Sequence, residues 1–134
     1  ACLDTKWPGA SAFFIATVVA YSNEAKTQLL QVPPKLIEEK GAVSIEVVEK
    51  MALGIANITH ADYVIAVSGI AGPSRGSSPH PVGTVAICFL GPHEKKVAGL
   101  IQAGNTRSTI VEYTVNYAIF SLWRWITHAK EPVF

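Results

Sequence analysis

The sequence predicts a layered α/β domain in which helices flank a mixed central β-sheet, and three observations lead there. Short apolar runs rich in β-branched residues alternate along the chain with amphipathic stretches of helical period. One pair of neighbouring strands, Gly83–Leu90 and Lys96–Gln102, is joined by the tight Gly91-Pro92-His93-Glu94 turn and is therefore antiparallel, whereas strands separated by helices favour parallel pairing. The chain has 134 residues, 49% of them hydrophobic, which suits one domain over 1–134 with a sizeable core and leaves little room for a second.

Each element follows in order. Pro8-Gly9 marks a turn. Phe13 to Ala20 is uncharged and rich in aromatic and β-branched residues, the pattern of a strand buried on both faces. Ser22 as cap and Glu24 in the first turn predict a helix start, with Ala25, Leu29 and Leu30 inward and a stop before Pro33-Pro34. Pro34 opens a short helix, Lys35 to Lys40, that ends at Gly41. Ser44 begins the most amphipathic helix: Val47, Val48, Met51, Ala52 and Ile55 on one side, Glu46, Glu49 and Lys50 on the other. Tyr63 to Val67 reads as a short strand that runs into Ser68-Gly69-Ile70-Ala71-Gly72-Pro73 and a polar loop up to Pro81. After the hairpin, Gly104-Asn105-Thr106 leads into a long helix, Ser108 to His128, with a buried stripe of Ile110, Val111, Thr114, Ala118, Ser121, Leu122 and Trp125.

Composition excludes several function classes. Eleven basic and 10 acidic residues leave a formal net charge of +1 and no basic stripe, so nucleic acid and acidic membrane are not expected partners. Trp7 to Asn23 is uncharged, but Pro8, Gly9 and several hydroxyls keep it short of the ~20 apolar residues of a spanning helix. No secretory signal is visible. Cys2 and Cys88 lack metal or redox spacing, which makes Cys88 a reduced core residue and a reducing cytoplasm the default location. His60, His80, His93 and His128 are scattered, so no metal site is expected, and Asp4 and Asp62 are too isolated to form a catalytic pair. Charged residues are only 16% of the chain and its C-terminus is aromatic, which favours a homo-oligomer, a dimer first.

Three stretches combine small, polar and strand-terminal residues. In Tyr21-Ser22-Asn23-Glu24-Ala25-Lys26, Ser22 and Lys26 lie four apart on one helical face, so an amine that loses its proton could activate a hydroxyl. The plain alternative is a capped helix with Lys26 in solvent. In Ser68-Gly69-Ile70-Ala71-Gly72-Pro73, Gly69 and Gly72 would let backbone N–H groups approach an anion or a developing oxyanion, and an ordinary turn is the alternative. In Gly104-Asn105-Thr106-Arg107-Ser108, free N–H groups and a guanidinium suit a phosphate, unless Asn105 or Thr106 simply caps the helix.

Several segments together resemble the CinA C-terminal domain family. They are Pro8-Gly9-Ala10-Ser11-Ala12-Phe13, Val19-Ala20-Tyr21-Ser22-Asn23-Glu24-Ala25-Lys26, Gly41-Ala42-Val43-Ser44, Ser68-Gly69-Ile70-Ala71-Gly72-Pro73 and Pro81-Val82-Gly83-Thr84-Val85, in the family's order. The resemblance runs from Pro8 to Trp123. It implies a nicotinamide mononucleotide deamidase that needs no cofactor, with a small-molecule nucleotide as substrate and ammonia as product. By that resemblance Lys26 and Tyr21 are catalytic, Ser68, Gly69, Gly72 and Asn23 shape the carboxamide and oxyanion region, and Arg107 serves the phosphate end.

The chain departs from the family in specific places. The family nucleophile is a serine in an SCTGG-type loop, and no such run occurs here. In the family that loop lies just before the point where this chain begins with Ala rather than Met, so the expectation is an N-terminal segment that carries it. Ala1-Cys2-Leu3 would then be the tail of the helix that follows. Ser22 is no substitute, since it occupies its own place in the YSNEAK match. Ala16-Thr17 stands where the family commonly has Arg-Gly, Arg75 interrupts a loop usually richer in glycine, and an extra residue separates Asn105 from Arg107. The rival expectation is a catalytically silent nucleotide-binding or interaction module of the same fold; a third is a structural oligomer without ligand.

Overall fold

The computed structural model describes residues 6–134. Cys2, Asp4 and the proposed helix tail at Ala1-Cys2-Leu3 lie outside the described residues. A 3-10 turn at Ala10–Ala12 precedes an arm without regular secondary structure, residues 13–21, and four helices and three strands follow: α1 (Asn23–Leu30), α2 (Pro34–Lys40), α3 (Ile45–Thr59), β1 (Val64–Gly69), β2 (Thr84–Leu90), β3 (Lys96–Gln102) and α4 (Arg107–His128).

The helix starts follow their caps. Ser22 Oγ accepts from Ala25 N at 3.0 Å, Ser44 Oγ from Val47 N at 3.3 Å, and Thr106 Oγ1 from Thr109 N at 3.4 Å. Pro34 opens α2 and Gly41 closes it. The hairpin β2–β3 is antiparallel as expected, and its register sets Thr84 opposite Gln102 and Leu90 opposite Lys96.

The layered α/β class holds, with one change in the sheet. Strand order is β1-β2-β3 and both pairings are antiparallel, so the sheet is not mixed among the described residues. The change traces to Phe13–Ala20, which forms no strand and is not buried. Phe13 is 69% exposed and Val19 77%. Apolar and β-branched residues favour an extended backbone, but a strand also needs a ladder partner. None is adjacent among the described residues.

Two clusters fill the two faces of the sheet. On one, Val47, Val48, Met51 and Ala52 of α3 pack on Ala66, Ala86 and Cys88, together with Leu30, Val32 and Ile37. On the other, Ile110, Ala118 and Trp125 of α4 cover Val85, Ile87 and Phe89. Every residue of β2 is buried as a result. Burial also pushes the Cys88 thiol up to about 12, with Glu49 adding to the effect and Lys96 opposing it.

Three orientations differ from expectation. Leu29 is exposed, because the inward face of α1 instead holds Lys26 and Leu30. Val111 also faces outward: the stripe of α4 that meets the sheet runs through Ile110, Thr114, Ala118, Ser121 and Trp125, leaving Leu122 half-buried beside it. Strand β1 runs through Ser68 and Gly69 instead of ending at Val67, since Ala86 and Val85 of β2 pair with them.

Candidate functional site

Lys26 is the one buried charged residue among the described residues. Its position on the inner face of α1 leaves it 7% exposed. Its ammonium donates to the carbonyl of Ala20 at 3.1 Å. Among the described residues no carboxylate lies within ion-pair distance of it. Loss of hydration disfavours the charged form, so its pKa falls below the ordinary lysine value. Ser22, by contrast, is the helix cap and is exposed. The helix is thus capped as the plain alternative has it, while the amine is buried.

The Lys26–Ala20 contact fixes the end of the arm, and the next residue begins a second group. Tyr21 is 81% exposed, yet its phenol oxygen accepts from an Arg107 terminal nitrogen at 3.2 Å. The other terminal nitrogen of Arg107 donates to the carbonyl of Gly72 at 3.4 Å. One guanidinium thereby joins the arm, the glycine turn and the first residue of α4. Gly72 has φ of 75°, and a Cβ there would stand 2.8 Å from Val82 Cγ1, so both backbone geometry and close packing call for glycine. The N–H groups of Ala71 and Gly72 have no acceptor among the described residues, which leaves two donors at this turn.

Ser68 has a different setting. Its hydroxyl donates to the carbonyl of Ala42 at 2.7 Å, tying the end of β1 to the loop between α2 and α3. Gly69 sits opposite Val85 in the ladder, at the strand end and not in the turn proper.

Beside these groups opens a cleft of about 880 Å³. One wall is α1 and α2, the floor includes Ala42, Val43 and Ile70, and the other wall is the Arg75–Pro79 loop. Of the site residues expected from sequence, Asn23 lines this cleft directly. Ser68 holds a lining residue, Ala42, from behind. Tyr21, Arg107 and Gly72 come together through hydrogen bonds outside the cleft lining, and Lys26 reaches that group through Ala20. The α2 wall and Arg75 were missed as site residues; Gly41-Ala42-Val43-Ser44, part of the family resemblance, was the one pointer toward that side.

Among the described residues no group of three or more His, Cys, Asp or Glu side chains is placed to hold a metal ion. No helix among them is long and apolar enough to cross a membrane.

Comparison with known proteins bears on the same segments. The family model described as CinA C-terminal domain matches residues 2–126. A CinA-like protein of Desulfotalea psychrophila is 43% identical over 122 residues, which is 91% of this chain and 29% of that protein. A CinA-like protein of Geotalea uraniireducens is 53% identical over 87 residues, 65% of this chain and 21% of its own length. This chain therefore spans less than a third of the length of these curated relatives. Among solved structures, the competence damage-inducible protein A (ComA) of Klebsiella pneumoniae superposes with a TM-score of 0.89 at 31% identity, over 96% of this chain and 80% of that one. The competence/damage inducible protein CihA of Agrobacterium tumefaciens gives 0.83 at 32% identity, over 89% and 73%. The chain belongs to the CinA C-terminal domain family.

Proposed function

We propose that this chain supplies the binding cleft and the general base of a nicotinamide mononucleotide amidohydrolase of the cytoplasm. The observation that carries this reading is the buried Lys26 amine, which has no carboxylate partner among the described residues and donates to the carbonyl of Ala20, next in the chain to the Tyr21 that Arg107 links to the glycine turn. A lysine that is easily deprotonated can accept a proton from a serine hydroxyl. The serine itself belongs to an SCTGG-type loop, which these 134 residues do not contain.

In the proposed reaction neutral Lys26 takes the serine proton, with Tyr21 assisting the transfer. The serine oxygen bonds to the carboxamide carbon, and the Ala71 and Gly72 N–H groups stabilise the oxyanion. Collapse breaks the C–N bond, and ammonia leaves with the proton that Lys26 held. Water then attacks the acyl-enzyme and gives a proton to Lys26; as the C–O bond to the serine breaks, Lys26 returns that proton to the serine oxygen, and nicotinate mononucleotide is released. Asn23, on the cleft wall, is placed in this reading to orient the amide.

Lys26→Ala, made in a protein where the serine loop precedes this chain, should abolish ammonia release while the circular dichroism spectrum is retained. Turnover near the parent rate would refute Lys26 as base. With the 134-residue chain alone, nicotinamide mononucleotide at a hundred times its dissociation constant should raise stability by about 2.7 kcal/mol. Binding without turnover in the serine-bearing protein would favour a silent nucleotide-binding module. The same reading carries a homodimer, supported by exposed Val111, Ile119, Trp123 and Ile126 on the outer face of α4; a monomeric mass in light scattering would remove it.

A further inference from the structure

The α4 side of the sheet carries an aromatic socket that shares no residue with the cleft. Gly99 lies buried in the middle of β3, where a glycine weakens a strand and marks a close approach. Here the approaching group is the Phe134 ring: a Cβ at Gly99 would clash with it. Phe89 and Tyr117 complete the socket, their ring centroids 6.3 and 5.9 Å from that of Phe134.

The chain reaches the socket by turning back after α4. Ala129 ends the helix in the left-handed region at φ 52°, and the residues beyond it meet β3. The Lys95 ammonium pairs with the Glu131 carboxylate, Pro132 is buried, and Tyr117 Oη donates to the carbonyl of Val133. A charge, a backbone acceptor and a ring are thus met within four residues, which is how a groove recognises a short peptide. Phe134 is nevertheless half exposed, and Lys95 and Glu131 both reach solvent, so the segment is laid on the surface and can be displaced from it.

We propose that the groove between β3 and α4 is a docking site for a peptide segment of a partner protein, and that residues 131–134 cover it in the free chain. The seated segment states the chemistry the partner must match: a carboxylate for Lys95, then an aromatic ring three residues later for the socket over Gly99. A tethered segment competes at an effective concentration on the order of millimolar. An outside peptide therefore enters once the cover is removed or displaced.

The test is an NMR titration with a hexapeptide of residues 129–134, Ala-Lys-Glu-Pro-Val-Phe. It should shift the Gly99 and Tyr117 signals of a chain that ends at Lys130 and leave those of the 134-residue chain in place at the same concentration. A peptide with Ala for its Phe should bind about tenfold more weakly, as loss of a partly buried ring implies. One with Gln for its Glu should bind about twofold more weakly, a difference that high salt removes. Should the shortened chain not fold, Phe134→Ala with Glu131→Gln in the full chain removes both anchors and serves as the receptor. A folded receptor whose Gly99 signal ignores the peptide would overturn the inference, and so would equal binding of the peptide without Phe. Equal binding to the parent chain would show that residues 131–134 are no cover. A dimer of the parent that is lost in the chain ending at Lys130 would make a second copy the occupant and overturn the partner protein.

Discussion

Phe13–Ala20 and β2 are runs of similar length and similar apolar, β-branched character, and they have opposite fates. Strand β2 has a hydrogen-bonded neighbour on each side and a helical layer on each face, and all seven of its residues are buried. The arm has no ladder partner among the described residues, and its side chains are mostly exposed. Apolarity states how much burial would be gained, whereas the sheet edge decides whether that burial is available. The difference lies in the neighbours, not in the residues.

The largest expected effect sharpens that contrast. Phe89→Ala in β2 should cost about 3–5 kcal/mol in urea denaturation, the range for a fully buried aromatic, while Val19→Ala in the arm should stay within about 0.5 kcal/mol. A comparable cost at Val19 would mean that the arm is covered in solution and would break the comparison. Next comes Gly54→Ala. A Cβ at Gly54 would stand 2.1 Å from the carbonyl oxygen of Leu30, a backbone atom that cannot swing aside. Overpacking of this kind typically costs about 1–3 kcal/mol, and a neutral melt would show that α1 and α3 are less closely packed.

The smallest effect concerns the amine that ties the arm to α1. The Lys26 pKa is lowered by burial, so between its folded value and the ordinary 10.5 the unfolded chain holds more protons than the folded one. Stability contributed by this group therefore rises with pH through that window and is complete above it. Lys26→Met should remove the rise, seen as a flatter plot of denaturation midpoint against pH up to 10.5. An unchanged slope would mean that the amine is hydrated in the folded chain.

Much of this fold is legible because its signals are local. The bounds of β3, Lys96–Gln102, follow from the Gly91-Pro92 turn and the run beyond it, and the α1 and α3 caps from Ser22 and Ser44. Partnership is not local, which is why the arm misleads: a run that is apolar but for Thr17 looks alike whether or not an edge waits for it. The candidate site divides the same way. YSNEAK and the SGIAGP turn are contiguous and stand out, but the cleft is closed by residues 23–43 and 70–79, and no spacing rule relates Arg75 to Glu38. Helical spacing put Lys26 on one face with Ser22, but only packing shows that this face turns inward at the lysine.

The Lys26–Ala20 hydrogen bond has a consequence for any reaction cycle at this amine. An ammonium offers three N–H bonds and no lone pair; after losing one proton it keeps two N–H bonds and gains a lone pair. The tether to the carbonyl therefore persists in either charge state. The nitrogen can take up and give back a proton repeatedly without the chain beside it coming adrift.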